Sequence, residues 1–156
     1  MTKCKIASVN CRGLHDPMKR KDVLNYLRSH KSSIYCLQDT HCTELDKNSV
    51  YAQWGNETLI SPGKSDARGT LTLFNNTNEI NILKVFSNNE GNFIISNIMI
   101  DNKYSITLVN LYGPNSDNQI GYKTCEMISP NNGPHVTIPH YFTQYIHLLL
   151  HLNLTS

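Results

Sequence analysis

The order of apolar and polar positions changes character midway along the chain. From Lys5 to Asn10, Ile6 and Val9 stand among small residues, which predicts a first strand. Cys11–Leu14 follows as a loop. Asp16-Pro17 then marks a helix start, because an Asp side chain can accept from the first free N–H groups and proline fits the first helical position. Val23, Leu24 and Leu27 give that helix its apolar face as far as about His30. Ile34–Leu37 is short and mostly apolar, as expected of a buried strand. Strand, helix, strand in this order predicts a parallel pair joined by a crossover. Gln38–Asn48 is polar and predicts a loop with one helical turn, Tyr51–Trp54 a small packing element, and Glu57–Ser61 a strand ended by Pro62-Gly63.

From Gly69 onward the helical spacing disappears. Thr70–Phe74, Ile80–Phe86, Phe93–Ile100 and Tyr104–Leu111 read as strands, with turns at Asn75–Asn78, Ser87–Gly91 and Asp101–Lys103. This half predicts one antiparallel meander, and the whole a mixed α/β domain dominated by sheet. After about Asn118 the pattern is lost. Gln119–His140 has no clear period, and Tyr141–Leu154 is an apolar run with interleaved histidines. That run can form a helix but is too short and too polar to cross a bilayer.

Composition narrows the class. The 156 residues suffice for one domain. Only 17% are charged against 39% hydrophobic, so the polarity comes from uncharged amides, and a charged disordered chain is excluded. The net charge of +2 lacks the strong basic excess of a dedicated nucleic-acid binder. The one dense basic cluster, Lys19-Arg20-Lys21, is expected as a solvated first helical turn, at the end of the helix dipole that an outside anion would favour. Five cysteines, an odd count without a C-x-x-C, argue against a disulfide framework and a zinc ribbon, and fit reduced intracellular thiols. No apolar signal core follows Met1, so secretion is not expected.

Four short pieces lie where strands meet loops, the usual place for catalytic groups. Ser8–Leu14 (SVNCRGL) ends a strand on Asn10, whose amide oxygen could ligate a metal or orient its water. Tyr35–His41 (YCLQDTH) brings Asp39 out of a buried strand, as a hard cation such as Mg²⁺ requires. Ala67–Asn75 (ARGTLTLFN) opens a strand with Arg68, suited to a phosphate. Leu108–Asn115 (LVNLYGPN) ends one with Tyr112 and Asn115, both able to hydrogen-bond a phosphate. Taken singly, each is equally a turn Asn, a capping Asp, a surface Arg or a rim Tyr.

Together, in this order, the four pieces resemble the apurinic-endonuclease-like domains of the endonuclease/exonuclease/phosphatase superfamily, in the form carried by non-LTR (LINE-type) retrotransposons. The resemblance covers residues 4 to 118. It implies a four-layer α/β sandwich of mixed, largely antiparallel sheets flanked by helices, of which this chain holds an incomplete N-terminal part. It also implies phosphodiester hydrolysis of DNA with Mg²⁺ or Mn²⁺, with no small-molecule cofactor and no membrane partner, inside the cell and in the nucleus. Asn10 and Asp39 match metal-site positions, and Asn10, Asp39 and Tyr112 the catalytic ones. Asn115 matches a phosphate contact, beside Arg68 and Arg12 as candidate substrate contacts.

Two departures bear on activity. Asp39 stands where the family has Glu, which draws the carboxylate back by one methylene and weakens metal binding. The family's later motifs, Asp-x-Asn and Ser-Asp-His, do not follow Asn115; Asp46-Lys47-Asn48 has the letters of the first in the wrong part of the chain. His147 and His151 at helical spacing, with His135 and His140 before them, lack the Glu of a zinc-protease motif and are expected to be incidental. The chain is therefore expected to be a C-terminally truncated and inactive or weakly active nuclease, with residues 119–156 an unrelated or aberrant tail. The alternatives are a non-catalytic DNA-binding remnant using Arg12, Lys19, Arg20, Lys21 and Arg68, or a pseudogene product without a stable fold. If the tail arose by a frameshift, genomic DNA downstream of Asn115 will encode the two missing motifs in another frame; their absence from every frame excludes that origin.

Overall fold

Strand β2 (Ile34–Gln38) is buried along its whole length, and the layers are arranged around it. The computed structural model describes residues 4–75, 79–113 and the strand at 151–154. β2 pairs in parallel with β1 (Ile6–Asn10) and antiparallel with β4 (Thr70–Phe74), which also takes β3 (Thr58–Ser61) on its other side. The second sheet is antiparallel throughout, in the order β5 (Ile80–Ser87), β6 (Phe93–Ile100), β7 (Tyr104–Leu111), β8 (His151–Leu154).

Period-two alternation sorts the side chains of β2 into two cores. Ile34 and Cys36 face the second sheet, packing with Ile6, Phe74, Ile98, Ile100, Ile106 and Leu108. Tyr35 and Leu37 face the helices, with Leu71 and Leu73 of β4 beside them. Helix α1 (Pro17–Ser29) and helix α2 (Lys47–Trp54) contribute Leu24, Leu27, Val50 and Trp54 to this outer core. The described residues thus form three layers: helices, first sheet, second sheet.

The expected start of α1 is present: Asp16 accepts from the Lys19 amide at 2.7 Å, with proline at the first turn. At its other end Arg28 donates to the Gln53 and Trp54 carbonyls, the free acceptors at the end of α2, and lies over the Trp54 ring. The Trp54 indole in turn donates to the Phe74 carbonyl at 2.9 Å.

Four expectations need correction. The last four sequence-predicted strands are not one meander. β4 inserts between β2 and β3, because both its faces are apolar enough to be covered, and only β5 to β7 run consecutively. The polar stretch before Trp54 holds a full helix, α2, preceded by a turn of 3₁₀-helix at Glu44–Asp46. In the terminal run, His151–Leu154 is a strand rather than helix, pairing with Tyr104–Thr107; His135, His140 and His147 lie outside the described residues. Finally, Arg20 is not a solvated cation but is fully buried. Its guanidinium donates to the Leu14 carbonyl at 3.0 Å, Gln53 Oε1 at 2.7 Å and Ser49 Oγ at 2.5 Å, and meets Asp46 Oδ1 at 3.4 Å. A basic triplet on a helix cannot place all three side chains on one face, and the middle one here points inward.

The two sheets are joined by a buried amide bridge. Gln38 Nε2 donates to Asn110 Oδ1 at 2.7 Å, and Asn110 Nδ2 donates to the Leu71 carbonyl at 2.8 Å. Thr72 Oγ1, at 3.2 Å from the same nitrogen, completes the contact. Gln38 also meets the Ser8 hydroxyl at 3.0 Å.

Replacing Asn110 by Leu keeps the volume but removes one acceptor from the Gln38 amide and the donor that reaches the Leu71 carbonyl, so unfolding in urea should shift by on the order of 3 kcal/mol. Adding Gln38→Leu should restore part of the loss; an unchanged midpoint in the single variant would mean that the bridge adds nothing.

Asp46 gives a pH dependence. Burial disfavours its charge, but hydrogen bonds from Thr43 and the neighbouring His15 outweigh that and hold its pKa below the ordinary 3.8. A depressed carboxylate stabilises the fold above its ordinary pKa and ceases to do so as pH falls through the folded value. Melting temperature should therefore fall below about pH 4. Asp46→Ala, which leaves Arg20 buried without its carboxylate, should lose on the order of 3 kcal/mol at pH 7 and flatten the acid limb.

Candidate functional site

One edge of the molecule collects the ends of strands from both sheets. Parallel pairing sets Asn10 beside Gln38 where β1 and β2 both end, and antiparallel pairing sets Thr70, where β4 begins, beside Gln38 as well. The Asn110 bridge brings the end of β7 to the same place. Four of the sequence-predicted site residues, Asn10, Asp39, Arg68 and Tyr112, therefore lie at one edge. Arg12 lies in the loop beside them, and Asn115 falls outside the described residues.

The loops at this edge interlock through backbone hydrogen bonds. Gly13 N donates to the Asp39 carbonyl at 2.7 Å, Thr40 N to the Gly69 carbonyl at 3.0 Å and His41 N to the Arg68 carbonyl at 2.7 Å. Tyr112 N donates to the Asn92 carbonyl at 2.7 Å. Arg12, Asp39, His41 and Arg68 all have positive φ, 48°, 55°, 55° and 64°. Outside glycine such a conformation costs on the order of 1 kcal/mol and persists where surrounding structure imposes it. Gly69 is required here: a Cβ on it would lie 2.5 Å from the buried Thr40 hydroxyl.

The Asp39 carboxylate is the centre of the polar contacts. Its Oδ1 lies 2.9 Å from His41 Nε2, both side chains being about one-fifth exposed. The Tyr112 phenol lies close enough to the same carboxylate to feel its charge. Burial first, and then the Asp39 charge, raises the Tyr112 pKa, with Arg68 acting in the opposite sense, so the group is held as a phenol. Arg68 extends past this cluster to a loose surface pair with Glu90 at 3.9 Å. Asn10 is engaged locally: its Oδ1 accepts from the Arg12 amide at 3.2 Å and shapes the turn. Among the described residues, no bond joins Asn10 to Asp39, and no group of three or more His, Cys, Asp or Glu is placed to hold a metal.

Sequence reasoning quoted His41 inside a motif without giving it a part, and it missed the Gln38–Asn110 pair. The latter had a signal. Ile106, Leu108 and Asn110 share the inward parity of β7, so Asn110 is an amide at a core position. Asp46, whose letters imitate a catalytic motif, is instead the buried partner of Arg20 and of the Thr43 amide.

No protein-family profile matches the chain. Among solved structures it is similar to the AP endonuclease LMAP from Leishmania major, with a TM-score of 0.52 and 19% sequence identity. The match covers 68% of this chain and 38% of that one, so this chain spans well under half of the enzyme it resembles. No described helix is long and apolar enough to cross a membrane. Over two-thirds of its length, then, the chain has the fold of part of an AP endonuclease.

Proposed function

We propose that this chain carries one half of a metal-dependent phosphodiesterase site, derived from the DNA endonuclease of a non-LTR retrotransposon, and that alone it cleaves DNA weakly or not at all. The observation that carries this reading is the meeting of Asn10, Asp39, Arg68 and Tyr112, from four separate stretches of chain, at one edge of a fold shared with an AP endonuclease. On this reading residues 1–118 are a partial domain whose complete form adds a fourth layer. Residues 119–156 are a tail of other origin, from which His151–Leu154 has joined the second sheet. DNA in the nucleus is the expected substrate.

The donor set fits a hydrated divalent ion. Mg²⁺ is held through one or two carboxylates with most of its water retained, and Asp39 offers one partly open carboxylate at the edge where Asn10 ends β1. Such an ion would neutralise charge on the phosphate and on the leaving oxygen. The chain's own groups position the substrate. The Tyr112 phenol, kept protonated, can donate to a phosphate oxygen, and Arg68 and Arg12 can flank the backbone. Without the Asp-x-Asn and Ser-Asp-His motifs, no group here matches the family's water-activating base, which is why weak activity is expected.

A second reading, DNA binding without cleavage, is favoured by Arg12 and Lys19. Both are exposed and adjacent, the Lys19 ammonium donating to the Arg12 carbonyl at 3.1 Å. Arg20, being buried, drops out of that surface.

Nicking of supercoiled plasmid in Mg²⁺ and then Mn²⁺ tests both readings. Wild type should nick at the limit of detection, and Asp39→Ala and Asn10→Ala should abolish it. Nicking that survives in both variants would place the chemistry elsewhere. Absent nicking with steeply salt-dependent DNA affinity, reduced by Arg12→Ala and Lys19→Ala, would favour the second reading.

A further inference from the structure

We propose that Glu90 sets the affinity of this edge for DNA: its carboxylate occupies the Arg68 guanidinium in the free chain, as a phosphate would, and yields it when a DNA backbone arrives. The proposal rests on the reading of Arg68 as a phosphate contact given above and adds to it the group that a phosphate must displace.

The first argument is placement. Glu90 belongs to the connection between β5 and β6, and Arg68 to the one between β3 and β4. The two connections are tied together one residue beyond each side chain. The Gly69 amide donates to the Gly91 carbonyl at 3.1 Å, and a Cβ on Gly91 would collide with the Gly69 nitrogen. Arg68 is itself held, because its carbonyl accepts from the His41 amide at 2.7 Å. On the other connection, the Asn88 carbonyl accepts from the Ser61 hydroxyl at 2.6 Å and the Asn92 carbonyl from the Tyr112 amide at 2.7 Å. Both side chains therefore start from fixed points, side by side on the rim of the site.

The second is the balance of contacts. Glu90 Oε2 lies 3.9 Å from Arg68 Nη1, near enough for attraction between charges but too far for a hydrogen bond. The side-chain amide of Asn92 donates to the same oxygen at 3.3 Å. Both members of the pair are open to water, Glu90 at 70% and Arg68 at 44%. An exposed pair of this kind contributes little, whereas a phosphate can take two guanidinium N–H groups at once. The exchange therefore favours the phosphate. Asp39, the other carboxylate at this edge, is about one-fifth exposed and is held by His41 at 2.9 Å. Glu90 is the one placed to give way.

The third is charge. Glu90 offsets Arg68 and also repels an approaching phosphate. Arg68 acts on the Tyr112 phenol as well, so a phosphate that reaches Tyr112 comes within range of this pair. The whole chain carries a net charge of only +2, so one negative charge on this rim weighs on binding.

Anisotropy of a labelled DNA duplex, read with the full chain in EDTA so that nothing is cut, measures the affinity at several salt concentrations. Glu90→Gln should bind roughly threefold to fivefold more tightly than wild type at low salt, the scale of an exposed ion pair, and the gain should shrink as salt rises. In an Arg68→Ala background Glu90→Gln should gain nothing. Glu79→Gln, which removes the same charge just before the far end of β5, should leave the affinity unchanged. Each variant is checked for a cooperative melt. No gain in Glu90→Gln overturns the proposal. So does an equal gain without Arg68 or in Glu79→Gln, since net charge alone would then explain it. In those cases, salt-dependent binding that Arg68→Ala weakens leaves the DNA reading intact. Binding that Arg68→Ala does not weaken, or no binding by any of these chains, removes the Arg68 contact and with it both the inference and that part of the reading.

Discussion

The two sheets are held in register by amides where hydrophobic packing alone would allow sliding. An aliphatic interface of Ile, Leu and Phe is tolerant of position, but a buried Asn is not, because each N–H left without an acceptor costs about 1–3 kcal/mol. Asn110 finds acceptors on β4 and a donor on β2 only at one setting of β7. Tyr112 follows two residues later and Asp39 one residue after Gln38. Their meeting is thus a consequence of the bridge, and the polar edge is aligned by the polar core behind it.

Strain and close approach have the same cause. Loops from β1, β2 and β7 converge on one edge with the β3–β4 and β5–β6 connections, and these two connections run so close that a Cβ on Gly63 or Gly91 would collide with the Gly69 backbone. The four left-handed side-chain-bearing residues sit where these loops turn. Each is unfavourable alone, and the mesh of hydrogen bonds around Thr40 and His41 holds them. A preorganised edge of this kind suits recognition of a fixed object such as a phosphate or an ion.

Much of this was legible in the sequence, and the reasons differ by element. β2 announced itself as an apolar run, and α1 by its Asp-Pro start. β4 did not reveal its sheet, since TLTLF reads equally well as the first strand of a meander. Which sheet takes it is decided by the two facing layers, which no local pattern records. That Asp39 and Tyr112 stand where strands end was legible from the apolar runs before them. His41 was not, because its part depends on a backbone turn that puts residues two apart face to face. Arg20 was misread for a general reason: inward and outward positions of a charged triplet differ only in what the rest of the chain brings near them, here Leu14, Asp46, Ser49 and Gln53.

Strand β5 borders the second sheet with only β6 beside it among the described strands, and carries Leu83, Val85 and Phe86 exposed. An apolar border with free N–H and C=O groups is a template on which another chain can polymerise. Its pairing with β6, however, slips between Ile82 and Lys84, so the row of free groups does not continue straight. The Lys84 ammonium lies over the Phe86 ring and places a charge in the middle of the apolar stretch. An incoming strand would meet a kinked ladder and a cation to desolvate. The irregularity in β5 thus works as a guard against self-assembly, built into the border that most invites it.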